Sequence, residues 1–223
     1  LFSKTNKDQK LKPEDKRQFS LPQEFGSYVM ENILFKISFP AEFHAQTAAE
    51  AAVILHPRVK DRLDEIDRIV ITTHESAIRI ISKQGDLANA ADRDHCLQYM
   101  TAVPLIFGNL KAEHYEDGFH AENPVIDQLR EKMEVVEDQR YTREYLEEDK
   151  RSIANAIQVF FKDGSSTDQV AVEYPIGHRR RRKDGIPLLT DKFRNNLATR
   201  FNGQRCEQIY GFCEDQETLE NMA

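Results

Sequence analysis

Three stretches of the chain place ionisable side chains within apolar or tightly turning sequence, where they could do chemistry. The first runs from Phe39 to Thr47 and places His44 at the proline-broken entry to an alanine-rich segment. An imidazole near the N-terminus of a helix can handle a proton or bind an anion, because the backbone N–H groups there are partly positive. His44 could equally be a histidine that only caps the helix.

The second stretch runs from Ala91 to Tyr99 and contains Asp92 and His95. In one continuous helix, His95 and Tyr99 would be four residues apart and would share a face. A phenol and an imidazole one turn apart could serve acid–base chemistry. The alternative is that Tyr99 belongs to the core and that Asp92 only caps the helix.

The third stretch is the run of four arginines from Arg179 to Arg182, directly after His178. Arginine binds carboxylates and phosphates through paired hydrogen bonds, so the run could hold an anion. It could also be a solvated loop, a nuclear-localisation signal or an RNA-binding segment. The chain as a whole has 31 Lys and Arg and 38 Asp and Glu, and the resulting net charge of −7 argues against generic nucleic-acid binding.

Residue patterns predict the elements that must position the first two stretches. Alanine is the best helix former, and its frequency over residues 47–55 predicts a buried helix that Pro57 ends or kinks. Alternation of apolar and polar residues over 66–73 predicts a strand. Apolar residues at helical spacing predict a second helix that Asp92 caps and Gly108 ends: Cys96, Tyr99, Met100, Val103 and Phe107.

The clearest local signal is a β-hairpin. Alternation over residues 153–161 and again over 170–174 flanks a turn at Asp163 and Gly164. The other predicted elements are a short helix at 124–130, a strand at 133–136 and helices between 189 and 213. We therefore expect an α+β fold of two layers, with helices packed on one face of a mixed or antiparallel sheet.

Length and composition limit the class of protein. A chain of 223 residues with 39% hydrophobic and 31% charged residues can form one globular domain with a sizeable core. No apolar run approaches the roughly 18 residues that span a bilayer, so we expect no membrane association. Residues 1–20 are polar and lysine-rich and predict a linker or arm, followed by an α+β domain at 21–201 and a helical tail at 202–223.

The cysteines argue against two kinds of site. Cys96, Cys206 and Cys213 are odd in number and widely spaced, which does not fit a disulfide framework. No Cys-x-x-Cys motif occurs, so neither a zinc ribbon nor an iron–sulfur site is supported. We expect a reducing, intracellular location, no metal and no cofactor.

Three longer segments resemble the second domain of the MmgE/PrpD family: residues 35–48, 89–105 and 172–181. The resemblance extends from about residue 21 to about residue 200. It implies an α+β domain that follows an all-helical first domain, with the active-site cleft between the two. We therefore expect the chain to be the C-terminal portion of a longer enzyme, a homodimer, and to be inactive without the helical domain.

The resemblance also implies a reaction, the elimination of water from the tricarboxylate 2-methylcitrate to give 2-methyl-cis-aconitate. This step belongs to the methylcitrate cycle of propionate degradation and uses no iron–sulfur cluster in this family. A related activity such as cis-aconitate decarboxylation is one alternative, and a non-catalytic binding module using Arg179–Arg182 is another. The enzyme would lie in the mitochondrial matrix of a eukaryote or in the cytoplasm of a bacterium.

Site residues follow from the same resemblance. A histidine of the first stretch and a tyrosine of the second reach the cleft in the family, and they correspond to His44 and Tyr99, the predicted catalytic residues. Some relatives carry the histidine at the position of Gln46, which is therefore predicted to line the substrate pocket. Arg93 and His95 are predicted to bind substrate beside them. We expect His44 and Tyr99 to face one open surface, where the helical domain docks.

Overall fold

A four-stranded sheet lies at the centre of the fold, in a computed structural model that describes residues 33–215. The strands are β1 (Ile66–Thr73), β2 (Met133–Glu137), β3 (Asn155–Phe161) and β4 (Val170–Val172), in the order β2-β1-β3-β4. β1 is parallel to β2 and antiparallel to β3, and β3 is antiparallel to β4. The sheet is therefore mixed, as the sequence predicts.

Strand β1 lies inside the sheet, between β2 and β3, and its residues face two environments. Ile69 and Ile71 are fully buried, whereas Asp67 and Arg68 are exposed. Ile69 lies opposite Met133 of β2 and Val159 of β3, and all three are buried. This apolar row on one face of the sheet forms the floor of the core.

Helices lie before, between and after the strands, and the last of them ends at Glu214. They are α1 (Gln46–Val59), α2 (Glu75–Ile81), α3 (Ala90–Asp94), α4 (Leu97–Phe107), α5 (Asp117–Glu122), α6 (Val125–Arg130), α7 (Gln139–Leu146), α8 (Arg182–Ala198) and α9 (Gly203–Glu214). Short 3-10 helices occupy Phe43–Ala45, Leu63–Glu65, Ala112–Tyr115 and Arg179–Arg181. The α+β class predicted from the sequence is confirmed.

Helices α1 and α4 pack against each other, and α1 also packs on β3. Small side chains let α1 approach closely, and four of its alanines are fully buried: Ala48, Ala49, Ala51 and Ala52. The buried helix predicted over residues 47–55 is confirmed. It continues two residues beyond Pro57, to Val59, so its end lies later than the proline suggests.

The single helix predicted after Asp92 is two helices. Asn89, not Asp92, caps α3, because its side-chain oxygen accepts from the Asp92 backbone N–H at 3.0 Å. The chain then leaves helical geometry at His95 and becomes extended at Cys96, where α4 starts. His95 and Tyr99 therefore do not share a helix face, and that prediction is wrong. The break has a physical reason: α4 is almost wholly buried, whereas only Arg93 of α3 is buried, so the chain changes direction between them.

The predicted hairpin is confirmed, and its strands belong to the same sheet as β1. Ala156 of β3 lies opposite Ala171 of β4, and Phe161 lies opposite Ile66 of β1. Gly164 turns the chain with φ of +84°, a conformation that glycine adopts without the steric cost other residues have.

Only part of the predicted domain organisation falls within the described residues. The polar arm at 1–20 and the domain start at residue 21 lie outside them. Residues 203–214 of the predicted tail form α9, which packs on α8. The boundaries themselves stay predictions. Within residues 33–215, we find no helix both long and apolar enough to cross a bilayer.

Candidate functional site

Polar side chains collect at the sheet edge where β1 and β2 end and β3 begins. This edge exists because β1 is parallel to β2 and antiparallel to β3. His74 directly follows β1, and Asn155 is the first residue of β3. Both are fully buried, and polar groups in such a position require partners or ligands.

Asn155 attaches the turn that carries His44 to this edge. Its Nδ2 donates to the backbone oxygen of His44 at 2.8 Å and to Thr47 Oγ1 at 2.7 Å. Thr47 in turn donates to the backbone oxygen of Ile153. One buried amide thus fixes the 3-10 helix at Phe43–Ala45 relative to β3.

The side chain of His44 lies between a carboxylate and a phenol. Its Nδ1 is 2.9 Å from Glu42 Oε1, and its Nε2 is 3.2 Å from the hydroxyl of Tyr145 on α7. A carboxylate only accepts hydrogen bonds, so in the neutral ring Nδ1 carries the proton and Nε2 accepts from Tyr145. Glu42, His44 and Tyr145 therefore form a continuous hydrogen-bonded series, which we call the Glu42–His44–Tyr145 series.

Two pKa shifts follow from this arrangement. Burial alone would raise the pKa of Glu42, but the hydrogen bonds from the His44 side chain and backbone hold it below its ordinary value. Burial raises the pKa of Tyr145, and the negative charge of Glu42 adds to that effect. Glu42 is therefore ionised and Tyr145 protonated near neutral pH, which is the state the hydrogen bonds need.

His74 packs against this series as a neutral ring. Burial lowers the pKa of His74 to about 4. Its Nδ1 accepts from the Ala77 backbone N–H at 3.4 Å and so caps α2, which leaves the proton on Nε2. Among residues 33–215 this buried Nε2 has no hydrogen-bond partner.

Tyr99 lies in a different group of side chains. It is fully buried on α4, and its hydroxyl donates to the backbone oxygen of His114 at 2.6 Å. Burial raises its pKa to about 12, and its ring contacts Tyr115 and His120. The described partners of Tyr99 and of His44 do not overlap. The prediction that both residues face one open surface therefore has no support from Tyr99, and its catalytic role stays a prediction.

Two predicted substrate-binding residues use their donors within the chain. Gln46 donates through Nε2 to the backbone oxygens of Phe39 and Ala41, at 3.1 and 2.7 Å. Arg93 is almost fully buried; its Nε donates to the backbone oxygen of Tyr115 at 2.8 Å, and its Nη2 pairs with Asp117. These contacts give each residue a structural role, and their binding roles stay predictions.

His95 is the most accessible of the predicted residues. Half of its side chain is exposed, and its Nδ1 lies 3.5 Å from Asp94. Its charge is close enough to contribute to the lowered pKa of Glu42, after the larger effects of burial and of His44. His95 is thus within electrostatic range of Glu42, and its predicted role in binding substrate beside His44 stays a prediction.

The arginine run is ordered by contacts within the domain. Arg181 forms two hydrogen bonds with the carboxylate of Glu50 on α1, at 2.9 and 3.0 Å. Arg180 lies over Tyr174 and bonds to the backbone oxygen of Asp149. The ordered-loop interpretation of this run is therefore the one the contacts support.

Sequence reasoning missed Glu42, His74, Tyr145 and Asn155. Two of them had a signal: His74 is the first residue after a predicted strand, and Asn155 interrupts an apolar alternation. Glu42 is two residues from His44, and its role depends on a turn that the sequence does not specify. Tyr145 had no signal, because it reaches His44 across 101 residues of sequence.

A surface cavity of about 450 Å³ lies elsewhere, and its lining includes Lys83, Gln98 and Arg130. Its lining does not include His44 or Tyr145. Among the described residues, the arrangement best suited to proton transfer is thus the group at the sheet edge, where Tyr145 is partly exposed and His44 is buried.

The chain belongs to the MmgE/PrpD family, because residues 39–216 match the MmgE/PrpD C-terminal domain. It is 52% identical over 207 residues to the 2-methylcitrate dehydratase of Escherichia coli K12, covering 92% of this chain and 43% of that protein. It is 54% identical over 196 residues to the mitochondrial 2-methylcitrate dehydratase of Yarrowia lipolytica, covering 86% of this chain and 38% of that protein. The family resemblance expected from the sequence is confirmed, and the chain spans less than half the length of these relatives.

Proposed function

We propose that this chain is the second-domain portion of a hydro-lyase that converts 2-methylcitrate to 2-methyl-cis-aconitate and water. The observation that carries the proposal is the identity of 52–54% to proteins named for this reaction, over nearly all of the chain. The proposed pathway is the methylcitrate cycle of propionate degradation, in the matrix or cytoplasm according to the source.

The proposed active site is completed by a helical domain outside this chain. The chain spans about 43% of the length of its bacterial relatives, and Tyr145 of its acid–base group is partly exposed at the sheet edge. A tricarboxylate needs several cationic or hydrogen-bonding anchors. Arg93 and Gln46 also bond within the chain, so we infer that most anchors come from the helical domain, and that His95 adds to what Arg93 and Gln46 contribute from this side.

Further parts of the proposal concern cofactor and assembly. Elimination of water next to a carboxylate needs a base, an acid and anchors for negative charge, all of which side chains can supply. We therefore propose a reaction without an iron–sulfur cluster or other cofactor, in an enzyme that is a homodimer. Tyr99 and His44 remain its proposed catalytic residues, with Gln46, Arg93 and His95 proposed to bind substrate.

The experiment compares the full-length protein with the isolated chain. Both are assayed with 2-methylcitrate, citrate and cis-aconitate, by following the ultraviolet absorbance of the unsaturated product. We expect the full-length protein to dehydrate 2-methylcitrate and the isolated chain to show no turnover. Activity only as a cis-aconitate decarboxylase would refute the assigned substrate, and full activity of residues 1–223 would refute the shared site.

A further inference from the structure

We propose that the Glu42–His44–Tyr145 series is a proton relay, in which the Tyr145 hydroxyl is the group that exchanges a proton with the substrate. The inference rests on the proposed dehydratase activity and assigns its base. Neither Glu42 nor Tyr145 is marked out by the sequence pattern. What assigns them is the geometry: 2.9 Å from Glu42 to His44 Nδ1, and 3.2 Å from His44 Nε2 to Tyr145.

Tyr145 is the end of the relay that a substrate can reach. The side chains of His44 and Glu42 are only 8% and 13% exposed, whereas Tyr145 is partly exposed. Both ring nitrogens of His44 already have partners in this chain, Glu42 on one side and Tyr145 on the other. A substrate at the sheet edge can therefore exchange a proton with His44 only through the Tyr145 hydroxyl.

The proton balance closes within the relay. The phenol oxygen takes the proton from the substrate carbon next to a carboxylate, while the phenol proton moves to His44 Nε2. The electron pair of the broken C–H bond forms the C=C bond, and the C–O bond breaks with its pair on the departing hydroxide. The imidazolium then returns its proton through Tyr145 to that hydroxide, which leaves as water. Glu42 stabilises the transient imidazolium and acts as a positioning residue.

The charged groups around the relay are compatible with this direction of transfer. Burial raises the pKa of Tyr145 more than the nearby Arg151 lowers it, so the phenol gives its proton to His44 only as its oxygen takes the proton of the substrate. His74, whose pKa is about 4, is neutral beside the relay. His95 lies near Glu42 on the exposed side and favours its ionised form.

The first variant removes one oxygen atom. Tyr145→Phe keeps the ring against His74 and deletes only the hydroxyl. In the full-length protein we expect kcat to fall by about 10²–10⁴-fold, with KM changed by no more than about threefold. The matched control is Tyr141→Phe, one turn earlier on α7, which should retain wild-type kcat. Equal effects of the two variants, or a Tyr145→Phe enzyme with wild-type kcat, would overturn the relay.

The second set tests Glu42 as a positioning residue. Glu42→Gln should lower kcat at least tenfold, because a neutral amide no longer stabilises the imidazolium that forms on His44 during the transfer. Glu42→Asp should restore part of the activity. Losses of kcat are not additive for residues that act in one relay. The kcat of the double variant Glu42→Gln/Tyr145→Phe should therefore be about that of Tyr145→Phe alone. Additive losses, or no recovery of activity in Glu42→Asp, would refute the relay.

Failure of the relay and failure of the proposed function give different results. If the wild type acts on citrate or cis-aconitate instead, the proposed substrate is wrong, and the variants are compared on that compound. A further readout needs no turnover: in nitrogen NMR of labelled histidine, Tyr145→Phe should shift the His44 Nε2 signal and Tyr141→Phe should not. An unchanged Nε2 signal would contradict the hydrogen bond on which the relay depends.

Discussion

The rings of His74 and Tyr145 stack nearly parallel, with centroids 4.5 Å apart and 10° between their planes. His74 follows β1 and Tyr145 belongs to α7, so the contact joins the end of the central strand to the helix after β2. The His74 ring is fixed by its cap on α2 and is neutral at physiological pH. Stacking therefore orients the phenol towards His44 without adding a charge beside it.

His74 makes folding stability depend on pH. Its pKa is about 4 in the folded chain and 6.5 ordinarily, so between these values the unfolded state binds more protons. Stability is full above pH 6.5 and falls by up to about 3 kcal/mol as the pH drops to 4. His74→Asn keeps a capping oxygen for α2 and has no such titration. We expect urea denaturation to show a smaller loss between pH 7 and 4.5 in the variant.

A second histidine also contributes to the loss of stability at acid pH. Burial, together with nearby arginines, lowers the pKa of His178 to about 4 as well. Part of the acid sensitivity should therefore remain in His74→Asn and become smaller when His178 is also replaced; burial lowers the pKa of His114 too, so a remainder persists in the double variant. Identical pH profiles for the wild type and His74→Asn would show that His74 does not titrate in this window.

Gly177 is required by the close approach of two backbone segments. A Cβ built there would lie 1.6 Å from the backbone oxygen of Phe35, and Phe35 N donates to the oxygen of Gly177 at 3.2 Å. Gly177→Ala must push these segments apart, and we expect it to lower the free energy of unfolding by about 1–3 kcal/mol or more. Gly203→Ala is the control, because a Cβ there meets nothing within 4 Å. Equal stability of the two variants in thermal denaturation would contradict this contact.

The hydroxyl of Tyr99 should contribute to stability whatever its role in the whole enzyme. Tyr99→Phe leaves the buried backbone oxygen of His114 without its 2.6 Å donor. We expect a loss of about 1–3 kcal/mol in the free energy of unfolding, measured by urea denaturation. Tyr210→Phe removes a hydroxyl on the exposed surface of α9 and should cost less than about 0.5 kcal/mol. An unchanged midpoint for Tyr99→Phe would mean that another donor replaces the hydroxyl.

Arg181 should not be replaceable by lysine. Its two parallel hydrogen bonds to Glu50 need a planar guanidinium, which a lysine ammonium cannot reproduce. Arg181→Lys should therefore lower the melting temperature measurably, whereas Arg79→Lys, at a side chain 75% exposed, should leave it within experimental error. If Arg181→Lys melts like the wild type, the pair with Glu50 is not specific.

Most of the fold could be predicted from local sequence pattern. The alternation over 66–73 and the hairpin around Gly164 each follow from period-two burial, and the alanine-rich helix follows from propensity. The break between α3 and α4 could not be predicted, because residues 92–107 fit one helical period throughout. What decides the break is burial, since α4 lies in the core and only Arg93 of α3 is buried.

The candidate site was predictable only where its residues are neighbours in sequence. His44 is identifiable from its position before an alanine-rich helix. Tyr145 and Asn155 reach it from 101 and 111 residues away, and only the strand pairing brings them together. Tyr99 shows the converse, because a family motif marks the residue while the fold buries its hydroxyl on a backbone oxygen.

The mixed pairing of β1 also determines where the chain tolerates a change of length. Asn155 reaches the backbone oxygen of His44 only in the register that places Thr72 opposite Ala156. A slip by one residue would turn every side chain of β3 to the other face. An insertion in residues 146–154 would shift β3 relative to Tyr145, whereas the turn at 163–165 lies at the far end of β3 and is exposed. That turn is where insertions are expected to be accepted, and where a label or affinity tag can be placed without disturbing the sheet edge.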